Sequence, residues 1–190
     1  MLAYLSWHRP APDVEPSAYE HALEHFHRSL AHRPPSGFRG SVSFRAAELP
    51  WLEGSGYEDW YLLDGWSALG VLEEASISQG HLTAHDSIAK LTGPATSAVY
   101  RLSEGHAVVA EAKVAVWVGR NRGYDPPTIA DLLGDGMSRV SGGLWRRCVG
   151  LGPAPEYCLL AGEPPLGVTP GRLPEGWSAT TYSRELLWHG

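Results

Sequence analysis

The 190 residues, 20.6 kDa in all, are 43% hydrophobic and 10% aromatic with eight Trp, which excludes a disordered chain despite 22 Gly and 15 Pro. A net charge of −6 and no basic run longer than a pair exclude the cationic face that nucleic acid requires, and no uncharged apolar stretch approaches the roughly 20 residues of a membrane span. Two cysteines cannot build a disulfide framework, and Met1 to Trp7 read as neither leader nor anchor, so a cytoplasmic location is expected.

Residues 2–8 read as an aromatic-rich strand stopped by Pro10 and Pro12. Ser17-Ala18-Tyr19-Glu20 has the pattern of a helix capping box, and Tyr19, Leu23, Phe26 and Leu30 then recur on one helical face that should end before Pro34-Pro35. Strands follow at 40–47 and 57–63. Helices follow at about 67–76 and 83–91, the second ended by Gly93-Pro94. Further strands are expected at 95–103 and 107–118, so the first ~105 residues spell strand–helix–strand–strand–helix–strand, the order of a ferredoxin-like fold. The order then partly repeats. Val114 to Trp117 matches Tyr4 to Trp7 at an offset of 110, and a short helix at 129–133 keeps that offset from Tyr19 to Leu23. A strand at 144–149 takes the second place, and Tyr157 to Gly162 echoes Trp60 to Gly65 at an offset of 97. A last strand is expected at 179–188, giving one unit over 1–106 and a shortened second over 107–190 in one compact body.

Tyr57-Glu58-Asp59-Trp60-Tyr61-Leu62-Leu63-Asp64 followed by Trp66-Ser67-Ala68-Leu69 resembles the strand-then-helix pattern of the dimeric α+β barrel superfamily. The resemblance implies an α+β fold in which two ferredoxin-like units face each other with antiparallel sheets and enclose a pocket, here as a tandem within one chain. That superfamily includes cofactor-independent monooxygenases, small-molecule isomerases, haem-dependent enzymes and proteins without known chemistry, so fold alone does not choose among them.

Strand alternation supplies the site candidates. Tyr4, Ser6 and His8 share one face of the first strand, Ser43 and Arg45 one face of the second, and Tyr57, Asp59 and Tyr61 one face of the third. On the sheet face away from the helices these would gather His8, Arg45, Asp59 and Tyr61 as catalytic candidates, with Arg101 and Glu111 in binding roles. His8 would be the proton acceptor and Arg45 or Arg101 an anion clamp. Trp7 and Trp117 occupy matching positions and are binding candidates, although packing between strand and helix is the better explanation of them. His21-x-x-Glu24-His25 has the spacing of an inverted zinc-protease signature, but its imidazoles point away from the apolar stripe and read as a solvated face. His81 and His85, beside Asp86, read as an exposed helix face, and Cys148 and Cys158 as buried reduced thiols. No resident metal is assigned and the cofactor is left unknown.

Two classes of function stay open. One is a small-molecule enzyme of the α+β barrel type, working by acid–base or oxygen-dependent chemistry on a partly aromatic substrate. The other is a non-catalytic ligand-binding or oligomerisation module, with haem binding a lesser third. A small-molecule ligand is the expected partner, and the chain is expected to act as a monomer or homodimer.

Overall fold

The computed structural model describes residues 1–78, 80–120, 142–162, 173 and 175–190. Its elements are β1 (Leu2–Pro10), α1 (Pro16–His32), β2 (Phe38–Ala46), β3 (Gly56–Leu63), α2 (Trp66–Ser76), α3 (Leu82–Leu91), β4 (Thr92–Glu104), β5 (Val114–Arg120), β6 (Leu144–Gly150), β7 (Tyr157–Ala161) and β8 (Trp177–His189). The eight strands close into one antiparallel barrel in the order β1-β3-β2-β8-β5-β7-β6-β4, with β4 returning to β1. The first four strands lie as β4-β1-β3-β2 and the last four as β8-β5-β7-β6. The halves meet through β2–β8 and β4–β6, and both have the strand order of a ferredoxin-like sheet.

Alternating side chains explain why the barrel closes. Ala3, Leu5 and Trp7 of β1, Val42 and Phe44 of β2, Trp60 of β3, Ala98 and Tyr100 of β4, Trp117 of β5, Trp145 of β6 and Leu160 of β7 all point into the lumen and form one buried cluster. Trp7 meets Trp117 edge-on at 5.2 Å and Trp60 meets Trp145 at 5.3 Å. Each such pair adds about 0.5–1.5 kcal/mol beyond area burial. Two ionic residues lie among these rings. Glu58 accepts from Trp7 Nε1 (3.1 Å), Trp60 Nε1 (2.6 Å), Tyr182 Oη and Arg184 Nη1. Arg184 also donates to the carbonyls of Ala112 and Val109 and stacks over Phe44. The pair joins β3 of one half to β8 of the other with every guanidinium nitrogen and both carboxylate oxygens hydrogen-bonded, the condition under which a buried ion pair is tolerated.

This filled lumen corrects the expectation of a pocket between the two sheets, because indole rings occupy that space. The register corrects the repeat as well. Trp7 faces Glu58 where Trp117 faces Cys158, and Leu5 faces Trp60 where Ala115 faces Leu160, so equivalent residues of β3 and β7 are 100 apart rather than 97. An odd slip of three would turn every side chain to the opposite face.

Three further expectations change. The capping box does not form. Pro16 takes the first helical position, where its missing N–H costs nothing, Glu15 is the N-cap, and Glu20 bonds to Arg45 instead. The strand expected from 107 begins at Val114. The helix expected at 129–133 lies outside the described residues. Among the described residues there are three helices, and none is long and apolar enough to cross a membrane.

Candidate functional site

The apolar stripe of α1 folds onto the outer face of β1 and β3, burying Tyr19, Leu23, Phe26, His27 and Leu30, while α2 and α3 pack beside it. Between helices and sheet lies a cavity of about 460 Å³, within the usual range for small-molecule sites. Its floor is the outer face of the strands, Tyr4, Ser6 and His8 from β1 and Asp59 and Tyr61 from β3. Tyr19, Leu23 and Phe26 form one wall, Leu69, Leu72 and Ile77 another, and His85, Ile88 and Thr92 a third, with Glu73 exposed at the rim. The polar strand faces therefore converge as the alternation indicates, but on the side facing the helices. The bulky Trp of each strand claims the lumen, and the intervening polar residues must point outward.

A buried carboxylate organises the floor. Asp59 Oδ2 lies 2.9 Å from His8 Nε2, 3.3 Å from His27 Nε2, and accepts from Tyr61 Oη at 3.2 Å. Burial opposes the charge on Asp59, yet the two imidazoles outweigh it and hold the carboxyl well below the usual carboxylate range. Tyr61, buried beside that charge, is pushed far above the usual phenol range, so it stays a donor. The other nitrogen of His8, Nδ1, is 2.6 Å from Tyr19 Oη, which is itself 3.1 Å from Thr92 Oγ1. His27 Nδ1 meets Ser41 Oγ at 2.8 Å, and its ring stacks on Tyr61 at 5.2 Å. Gly56 lets the start of β3 lie close against the His8 backbone, since a Cβ there would come within 2.6 Å of the His8 carbonyl oxygen.

His8, Asp59 and Tyr61 are thus brought together and the other candidates are not. Arg45 lies on a separate groove of about 650 Å³, held by Glu20 at 2.6 and 2.8 Å and by Glu185 at 3.1 Å. Arg101 is exposed on β4, and Glu111 is exposed in the β4–β5 connection, outside any strand. The described residues lining the cavity include no Arg or Lys, so neither Arg45 nor Arg101 faces it as an anion clamp. Trp7 and Trp117 pack in the lumen, out of reach of the cavity. His21 and His25 are exposed on α1 as the stripe requires. His81 is buried against Ser29 Oγ at 3.1 Å, and half-buried His85 meets Phe26 edge-on, so neither belongs to an exposed helix face. Cys158 is buried in the lumen, whereas Cys148 is exposed on β6. Both ring nitrogens of His8 are engaged, which leaves it no free nitrogen for a haem iron. Among the described residues no cluster of three His, Cys, Asp or Glu is placed to share a metal ion.

Sequence reasoning missed Tyr19, His27 and Thr92. Tyr19 reads as an apolar-face residue. The signal for His27 was its position four residues after Leu23, inside the buried stripe, where an imidazole requires a polar partner.

Known structures of the same shape share little sequence with this chain. A Fusobacterium nucleatum protein that carries a provisional monooxygenase name aligns with a TM-score of 0.67 at 9% identity, covering 99% of this chain and 93% of that one. An anthrone oxidase-like protein aligns at 0.53 and 11% identity, covering 98% and 93%. A Lactobacillus acidophilus protein, also with a provisional monooxygenase name, aligns at 0.51 and 9%, covering 97% and 94%. At such identities the likeness is one of fold, the ferredoxin-like α+β barrel. No protein-family profile and no curated protein sequence matches the chain.

Proposed function

We propose that the chain is a small-molecule enzyme built from two fused ferredoxin-like units, residues 1–106 and 107–190, with one working cavity in the first. The observation that carries this reading is the Asp59–His8 couple on the floor of the cavity, a buried carboxylate orienting an imidazole toward a space of about 460 Å³. Aromatic and aliphatic walls, with no lysine or arginine among the described residues, suit a flat, uncharged ligand with a weakly acidic C–H or O–H. The couple takes that proton by way of Tyr19, whose hydroxyl lines the cavity and occupies His8 Nδ1, handing its own proton to the ring as it receives the substrate's. The carbanion left behind is electron-rich enough to reduce dioxygen directly, and a CH₂ group flanked by aromatic rings plus O₂ gives a ketone plus water with no outside reductant. The provisional monooxygenase names and the anthrone oxidase-like name among similarly folded proteins support dioxygen as the second substrate.

Anthrone and related hydroxyaromatics, incubated with the protein under air, test the proposal by oxygen uptake and product absorbance. Turnover with one O₂ consumed per ketone formed is expected, falling about 10²–10⁴-fold in His8→Ala. Equal rates for the wild type and His8→Ala across the set would overturn it. Proton exchange or isomerisation that proceeds equally without air would keep the base and remove the oxygen step.

A further inference from the structure

The hydrogen bonds around His8 form a chain whose two ends can only accept. At one end is the Ile88 carbonyl, which takes the Thr92 hydroxyl proton at 2.9 Å. At the other is the Asp59 carboxylate, 2.9 Å from His8 Nε2. Between them stand the Thr92–Tyr19 contact at 3.1 Å and the Tyr19–His8 contact at 2.6 Å, which makes four links. Each link needs one proton. The threonine hydroxyl, the phenol and a neutral imidazole supply three, whereas an imidazolium brings the total to four. With His8 protonated, every link is therefore filled and donation runs from His8 toward both ends: His8 Nε2 donates to Asp59, His8 Nδ1 to Tyr19, Tyr19 to Thr92 and Thr92 to Ile88. With His8 neutral, Tyr19 turns its proton back to Nδ1, and the Thr92 and Tyr19 oxygens face each other with no proton between them.

From this count we propose that Tyr19 and Thr92 are positioning residues whose paired hydroxyls hold His8 in its protonated form, the state it enters on taking a substrate proton. The inference rests on the acid–base reading above. The other groups around His8 are consistent with it. Tyr57 stacks on the ring at 5.9 Å and gives its proton to Glu20, His27 acts only through Asp59, and His85 lines the same cavity from α3. Burial pushes the Tyr19 phenol well above its usual range, so it passes orientation along the chain and stays a phenol while doing so.

The test is the titration of the His8 ring, followed by nitrogen and carbon NMR shifts of histidine-labelled protein without substrate. Losing one hydrogen bond to the charged form should lower the His8 midpoint by about one to two pH units in Tyr19→Phe and in Thr92→Val. Thr92→Ser, which keeps the hydroxyl, should restore it. Unchanged midpoints in both variants would overturn the proposal. So would a shift in Tyr19→Phe without one in Thr92→Val, since the chain would then end at Tyr19. If Tyr19→Phe does not fold, the Val and Ser variants at position 92 decide alone. Wild-type turnover by His8→Ala alongside the expected midpoint shifts would refute the enzymatic reading and leave the hydrogen-bond chain standing.

Discussion

In the β4-β1-β3-β2 half of the barrel, the strand positions turned toward the helices hold Tyr4, Ser6, His8, Asp59 and Tyr61. The register-equivalent positions of the β8-β5-β7-β6 half hold Val114, Val116, Val118, Leu159 and Ala161. The three valines and Leu159 pack with Leu144, Tyr157 and Trp177 into a hydrophobic cluster. On the lumen side the halves are alike, Trp7 opposite Trp117 in an edge-on pair. The lesson is a division of labour within one architecture. Lumen positions must fill space for the barrel to close, so both halves keep bulky residues there. Outer positions are free of that demand, and of the positions compared only those of the β4-β1-β3-β2 half hold ionisable groups, which means burying a carboxylate where the other half has Leu159.

The largest effect that could break this comparison lies in turnover. Asp59→Asn should lower it about 10²–10⁴-fold by the oxygen-uptake assay, whereas Val118→Thr, at the position equivalent to His8, should leave it within about twofold. A comparable loss in both variants would mean that the second half also carries chemistry.

Next in size is the lumen. Glu58→Gln leaves Arg184 buried without its counter-ion and should cost about 3–5 kcal/mol in denaturant unfolding. Cys158→Ala, at the equivalent position in β7, removes one sulfur from an apolar setting and should cost about 1–2 kcal/mol.

Acid should then separate the two outer faces. The folded pKa of Asp59 lies below its unfolded value, so its ionised form contributes stability above about pH 4, and that contribution drains away as pH falls below about 4. Melting temperatures recorded from pH 6 down to pH 2 should fall less steeply in Asp59→Asn than in the wild type. An identical slope would mean that Asp59 is not held ionised by its imidazoles.

The smallest effect is expected at Arg45. Its partner Glu20 is held below the usual carboxylate range by the guanidinium, but the pair is partly open to water. Arg45→Gln should change stability by no more than about 1 kcal/mol and leave turnover untouched, which a single unfolding curve and one rate measurement can check.

Much of this was legible in the chain before folding. The period-two pattern of Tyr4-Leu5-Ser6-Trp7-His8 and of Glu58-Asp59-Trp60-Tyr61 separates two faces correctly, and the breakers Pro10, Pro34 and Gly93 fall within two residues of the ends of β1, α1 and α3. What alternation does not say is which face looks at the helices, because a lumen filled with indoles and a helix-covered face are both dry. Size decides it, since four tryptophans fit the wide lumen and not the sheet–helix layer. Arg45 shares a strand face with Ser43 yet falls outside the cavity, since position along the strand matters as much as side. Thr92 lay hidden because its role depends on a contact 73 residues away, which no local pattern encodes. The offset of 97 looked right by composition, and only hydrogen-bond register could replace it with 100.

The ring of strands has one more consequence. Because β2 is zipped to β8 and β4 to β6, neither sheet keeps a bare rim with idle amides. Cut between residues 106 and 107, the leading fragment would uncover both rims at once together with half of an indole-lined interior. Such a fragment should seek a twin of itself or precipitate, so β5 to β8 serve the front of the chain as a built-in chaperone.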